Sequence, residues 1–386
     1  MKAHSSPMSA VGAVSDRPLR IALVPPLWAR VAPDTQGGVE HIVYLLAEEL
    51  VTRGHEVTVF TSSDSLTKAR VEALSQWNII EAMQRGLVGQ YKYYETCNIA
   101  EALQKSSAFD VVHFHLDPFA IPLGAFSQVP VLHTLHNPIT PDGIWLLSRY
   151  AHAPVTAVSR RQIAHIPEER RRSIRIVHNG CNFDSYQFSA VPGRYLAYLG
   201  RMAPGKGPFQ AIQVAKEAGL PIVLAGQPLT EEDRTYFMEM IQPLINHSDV
   251  SYIGQVDHRQ KSALLRDAGA LLFPIQAEES FGLVMIEAMA CGTPVIAFQR
   301  SAVEEVIDFG KTGFYADSIQ ALSSFVPRAL SLDRRVVREH AKQRFGHVRM
   351  TDEYLQAYES ILSASWNGRA ALAERSFPVS TPSISK

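Results

Sequence analysis

At 386 residues the chain is long enough for two domains, and 37 Lys+Arg against 38 Asp+Glu leave a formal net charge of -1. A composition of 46% hydrophobic and 19% charged residues excludes long disorder, collagen-like repeats and a many-pass membrane protein, and the missing basic surplus excludes nucleic acid as a partner. Three widely spaced cysteines, Cys97, Cys181 and Cys291, make neither a disulfide framework nor a zinc signature, which points to a reducing compartment.

Residues 1–18 lack the apolar run of a signal peptide and read as a flexible N-terminal tail. Residues 20–25 (RIALVP) then read as a buried strand, and residues 36–40 (QGGVE) as a loop. Residues 41–53 carry Ile42, Leu45, Leu46 and Leu50 at helical spacing, and Gly54 stops that helix. Further buried strands are expected at residues 56–60, 110–114, 131–134 and 154–158. The grammar restarts with a strand at residues 195–199, a glycine-rich turn at 200–207 and a helix at 209–218. Strands at residues 221–225, 250–253, 270–273 and 294–297 continue it. Strands alternating with helices imply parallel sheets, here two doubly wound α/β domains with a ligand cleft at the strand carboxyl ends. The join falls near residues 188–194, where Ser, Pro and Gly cluster. No apolar run reaches the ~20 residues of a spanning helix, so membrane contact is expected to be peripheral at most.

The segment ESFGLVMIEAMACGTP, residues 279–294, carries most of the chemistry. Glu279 and Glu287 stand eight residues apart around Phe281-Gly282-Leu283. A helix starting near Gly282 offers free N–H groups to an anion just behind Glu279. Leu283, Val284, Ile286, Ala288 and Met289 leave that helix apolar nearly all round, so Glu287 sits in buried company and needs a ligand or a cation beside it. In Gly200-Arg201-Met-Ala-Pro204-Gly-Lys206-Gly207, Arg201 and Lys206 follow a strand and suit a diphosphate, although a solvated turn explains them equally well. The first seven positions match a phosphate-binding P-loop. Gly207 stands where that motif needs Ser or Thr for Mg²⁺, and Pro204 removes an N–H, so the NTPase reading fails. Gly37-Gly38 at a helix start permits close approach of an anion, and a structural turn is an equal account.

His113, His115, His133 and His136 lie at or just after strand ends. No acidic or Cys cluster of ligand spacing joins them beyond Asp117, so hydrogen-bonding roles in the cleft are expected and no metal site. Arg160, Arg161, Arg170, Arg171, Arg172 and Arg175 form the one local basic excess, expected on a solvated face beside Glu168 and Glu169 rather than against a membrane.

These motifs, in this order, resemble the retaining glycosyltransferases of family 4 (group 1), which have the GT-B fold: two Rossmann-like domains facing across a cleft. Val177-His-Asn-Gly180 and Pro154-Val-Thr-Ala-Val-Ser159 resemble further segments of that family. The resemblance implies an acceptor-side domain at residues 19–190 and a donor-side domain at 191–350. It also implies a helix at 351–363 returning to the first domain, and residues 364–386 read as a flexible tail. It implies that Arg201 and Lys206 bind the donor diphosphate and that Phe281, Gly282 and Leu283 offer backbone contacts to phosphates and sugar. Glu279 would hold donor-sugar hydroxyls, Glu287 the ribose hydroxyls, and His136 the donor-sugar region. Gly37 and Gly38 would approach from the first domain, with Gly226 and Val256 on the nucleobase side. The implied activity moves a hexose from a UDP- or GDP-sugar to a carbohydrate, lipid-linked or small-molecule acceptor with retention, without metal or other cofactor, in the cytoplasm with at most peripheral membrane association. A sugar-nucleotide epimerase of the same shape and a non-catalytic sugar-nucleotide binder are the competing expectations.

Overall fold

The computed structural model describes residues 17–373. The first sheet contains β1 (Arg20–Val24), β2 (Glu56–Ser62), β3 (Arg70–Ser75), β4 (Val111–Phe114), β5 (Val131–Leu135), β6 (Val155–Ala157) and β7 (Arg175–Ile176). The second contains β8 (Leu196–Leu199), β9 (Ile222–Ala225), β10 (Val250–Tyr252), β11 (Ala270–Phe273), β12 (Val295–Phe298) and β13 (Gly313–Ala316). Their orders are β3-β2-β1-β4-β5-β6-β7 and β10-β9-β8-β11-β12-β13, and every ladder is parallel. The order reverses beside β1 in one sheet and β8 in the other, which opens a crevice at the strand carboxyl ends. Both sheets are covered on two faces, so Ile21, Ala22, Leu23 and Val24 of β1 are all buried.

Three strands escape the sequence reading. β3 is an edge strand whose residues are half-buried or exposed, β7 is two residues long, and β13 closes the far edge of the second sheet. The first helix runs Gly38–Thr52, starting three residues earlier than periodicity suggests, because Gly37 caps it and Glu40 occupies its first turn. The C-terminal helix, His347–Ala373, crosses back to the first domain, where Met350, Tyr354 and Tyr358 pack with Ile42 and Leu46. The helix extends past residue 364, where a tail is expected: no proline interrupts residues 347–377, and Ala370, Ala371 and Leu372 favour helix. Arg17, within the tail expected for residues 1–18, is anchored to the first domain by an ion pair with Asp110 at 2.9 Å. Residues 1–16 and 374–386 lie outside the described residues.

The domains meet on the floor of the crevice. Val158, just past β6, is buried in the second domain's core, and Leu283 packs against the cores of both domains. Glu305 accepts the backbone N–H groups of Arg160 at 2.8 Å and Arg161 at 2.7 Å and pairs with His178 at 3.2 Å. Burial pushes the Glu305 carboxyl up, but His178 and the two N–H donors outweigh it and hold it below the usual carboxylate range. The basic run is not uniformly solvated: Arg170 is buried and donates to the carbonyls of Leu147 and Ala153, so it ties down the segment before β7. Arg172 pairs with Glu168 in solvent, as the charge pattern suggests.

Candidate active site

The glycine-rich turn leaves the end of β8 and is fixed from two sides. The Gly205 carbonyl accepts the N–H groups of Gln276 at 2.9 Å and Ala277 at 3.0 Å, which joins this turn to the loop after β11. That joint brings Lys206 into an ion pair with Glu279. Arg201 leans the other way, with its Nε 3.0 Å from an Asp233 oxygen. Asp233 is buried and also accepts the N–H groups of Leu229 and Thr230, so it holds the guanidinium at the cleft edge. The Arg201 and Lys206 side chains keep 43% and 39% of their surface accessible, enough to meet a ligand without moving the backbone.

The helix Leu283–Ala290 starts on Gly282, whose φ of 85° lies in the left-handed region. A Cβ there would sit 2.8 Å from Met285 Cε and 3.0 Å from Phe273, so space as well as φ demands glycine. The N–H groups of Leu283 and Val284 have no hydrogen-bond partner among the described residues, which leaves a positive helix end facing the crevice. The Phe281 ring is buried between His178 and Phe345, so only its backbone is available to a ligand. Glu287 lies deeper in the helix and finds its cation within the chain: Lys261 Nζ is 2.5 Å away, and the Tyr186 hydroxyl donates at 2.9 Å. Burial pushes the Glu287 carboxyl up, but Lys261, His41 and Tyr186 outweigh it, so it stays ionised below the ordinary value.

From the other domain, Gly37 and Gly38 start the first helix opposite this one. A Cβ on Gly38 would lie 3.4 Å from Leu283 Cδ1, so the two helix ends almost touch across the cleft. Glu40, three residues on, turns back and accepts the N–H of Ala29 at 3.0 Å, which fixes the loop after β1. Burial, with Glu95 nearby, pushes its carboxyl up to about 7. A raised carboxyl stabilises the fold fully below its unfolded value and loses that contribution as pH climbs through 7, a loss of about 3 kcal/mol. Glu40→Gln should therefore flatten the fall in melting temperature between about pH 5 and 8, measured by calorimetry against wild type. An unchanged pH profile would show that Glu40 is ionised throughout.

His136 follows β5 and lies half-buried at the same crevice. Its backbone N–H and that of Asn137 donate to Asp117 at 2.6 and 3.0 Å, and its Nε2 meets His115 Nδ1 at 2.9 Å. His113 is structural: its two ring nitrogens meet Tyr358 at 2.7 Å and Thr134 at 2.6 Å beneath the C-terminal helix. His133 stacks on Phe114 away from the cleft. No group of three or more His, Cys, Asp or Glu side chains among the described residues is arranged to hold a metal ion. Gly226 (φ 126°) closes the crevice after β9, where a Cβ would fall 1.9 Å from the Gly200 carbonyl oxygen. Its N–H donates to Gly254 at 2.8 Å, which draws the segment carrying Val256 to the same end.

Residues 36–185 match the family model described as Glycosyltransferase Family 4, and residues 187–344 match Glycosyl transferases group 1. The chain belongs to this family. The glycosyltransferase is 26% identical over 385 residues to the D-inositol 3-phosphate glycosyltransferase of Mycolicibacterium smegmatis, covering 85% of this chain and 87% of that one. The Mycobacterium bovis protein of the same name is also 26% identical, over 418 residues, 92% of this chain and 86% of that one. Among solved structures, AviGT4, a glycosyltransferase of avilamycin A biosynthesis, has a TM-score of 0.68 at 23% identity, covering 90% and 98% of the two chains. Anabaena HepE, in complex with UDP and glucose, has a TM-score of 0.67 at 18% identity, covering 89% and 100%. Sucrose-phosphate synthase from Thermosynechococcus elongatus has a TM-score of 0.70 at 19% identity, covering 90% and 100%. The fold of this glycosyltransferase is GT-B.

Three supporting residues of the glycosyltransferase carry no sequence signal. Lys261 sits on the helix His258–Arg266 (HRQKSALLR), where a lysine reads as one more solvated cation. Asp233 reads as part of an ordinary acidic first turn. Tyr186 precedes the domain join and shows its role only once it meets Glu287. A polar cavity of about 310 Å³ adjoins the Glu279 loop between Arg161, Arg300 and Ser301. A larger cavity, about 570 Å³, lies at the opposite end of the first sheet by Arg20 and Phe109 and is lined by none of these groups.

Proposed function

We propose that the enzyme transfers a hexose from a nucleoside diphosphate sugar, UDP- or GDP-linked, to an acceptor hydroxyl with retention of configuration and without a metal ion. The observation that carries this reading is the meeting of Lys206 with Glu279 directly before the free N–H groups of Leu283 and Val284. Cleavage of the sugar–phosphate bond builds negative charge on the diphosphate and positive charge on the sugar. Lys206, Arg201 and the helix end stabilise the first, and Glu279 holds sugar hydroxyls on the other side. Lys206 exchanges its protein carboxylate for phosphate oxygens when the donor enters, which frees Glu279 for the sugar. Glu287, held ionised by Lys261, accepts the ribose hydroxyls. Gly226 and Val256 border the base. Attack on the face that the diphosphate leaves puts a phosphate oxygen beside the acceptor hydroxyl, and that oxygen takes its proton.

HepE, whose structure holds UDP and glucose, and the inositol 3-phosphate glycosyltransferases supply the first donors and acceptor to try. The test incubates the enzyme with UDP-, GDP- or ADP-sugars and a panel of acceptors, including inositol 3-phosphate, in excess EDTA. The anomeric proton coupling of the product reads its configuration. Release of nucleoside diphosphate with a product of the donor's own anomeric configuration is expected. An inverted product, a strict need for divalent ions, or epimerised donor with no acceptor consumed would overturn it.

A further inference from the structure

The histidines that follow β4 and β5 form a pair whose proton is placed by the surrounding packing. His115 is fully buried, its Nδ1 meets His136 Nε2 at 2.9 Å, and its own Nε2 is buried with no partner among the described residues. Its ring is wedged from the other side by His113, centroids 3.9 Å apart, and His113 is locked by Tyr358 and Thr134. Two neutral imidazoles in contact share one proton across the gap, so there are two arrangements. If His136 donates from Nε2, His115 must carry its own proton on Nε2, a buried N–H with nothing to accept it. If His115 donates from Nδ1, the orphan is a bare nitrogen. An orphaned buried donor is the rarer and costlier of the two.

We infer that His115 is a positioning residue that donates from Nδ1 to His136 Nε2 and thereby holds His136 as the Nδ1–H tautomer, a hydrogen-bond donor toward the cleft. The inference rests on the reading of His136 as a donor-sugar contact. His136 Nδ1 has no partner among the described residues, so its proton is free for a sugar oxygen. The backbone of His136 is held separately by Asp117, whose φ of 52° fits it under the two N–H groups. Ring and backbone are thus fixed by different side chains. Burial also keeps both rings neutral: it drives His115 well below its usual range and His136 down to about 4. A neutral donor suits the chemistry, because an imidazolium would repel the positive charge that grows on the sugar.

The test labels histidine nitrogens in the full-length chain and reads by NMR which ring nitrogen of His136 carries the proton, in wild type, His115→Asn and His115→Leu. Wild type should show Nδ1–H. Asparagine places an amide N–H near the same point and should keep it, whereas leucine should release His136 to the Nε2–H form. The kcat/KM for the nucleotide sugar should fall about tenfold in His115→Leu, the loss of one neutral hydrogen bond, and recover mostly in His115→Asn. An Nε2–H His136 in wild type overturns the inference whether or not the leucine variant folds, and so does an unchanged tautomer in a folded His115→Leu. The reading beneath it fails separately: full activity in His136→Ala would remove His136 from the sugar site while leaving the tautomer result standing.

Discussion

Lys206→Ala is expected to lower kcat for sugar transfer by about a thousandfold while the protein stays folded, since one fixed cation or donor aimed at a developing oxyanion contributes 10²–10³ in rate. The ion pair it breaks is partly exposed, so the stability change should stay within about 1 kcal/mol by chemical denaturation. Arg201→Ala should behave alike, because the proposed donor site sets its guanidinium and the Lys206 ammonium beside the same leaving group. Lys206→Arg should rescue only in part: a planar fork does not reproduce a compact ammonium against Glu279. Full transferase activity in both alanine variants would remove the diphosphate from this turn.

Lys261→Met should have the larger effect on the fold. It removes the ammonium hydrogen-bonded to Glu287 and leaves a buried carboxylate with the Tyr186 hydroxyl as its hydrogen-bond donor, a loss of about 3 kcal/mol at neutral pH. The pH dependence gives the sign. In wild type the Glu287 carboxyl is held below its ordinary value, so its contribution is present above the unfolded value and disappears only in acid. In the variant, burial without Lys261 pushes the carboxyl up. The protein should then be least stable at high pH and regain stability as pH falls and Glu287 takes a proton. Denaturant titrations at about pH 5 and 8 separate the two, and the KM for the nucleotide sugar should rise with the loss of a fixed ribose contact. Equal stability of variant and wild type at both pH values would mean that Glu287 is solvated rather than held by Lys261.

The sequence disclosed what is buried on every side and what breaks a local rule. β1, β4, β11 and β12 are short apolar runs because both faces of a parallel sheet are covered, and periodicity finds such runs. β3, with its half-buried edge residues, carries no such signature. Glu287 stood out because a carboxylate in an apolar helix demands a partner, but the partner comes from a separate helix, 26 residues back, whose own pattern is polar. The place of His113, His115, His133 and His136 at strand ends was legible, whereas the pairing of His115 with His136 depends on the β4–β5 register, with Phe114 opposite His133. Distances across the sheet and between domains are what a linear pattern does not contain.

The central claim, a diphosphate held by two cations and a helix end without metal, is tested most directly by isothermal titration of UDP, GDP and ADP in excess EDTA. Wild type and the Arg201→Ala/Lys206→Ala double variant are compared. At least one nucleotide is expected to bind wild type at one per chain and the double variant at least about a hundredfold more weakly, two charge-assisted contacts having been lost. Binding that requires a divalent ion, or that is equal in the two proteins, would contradict it.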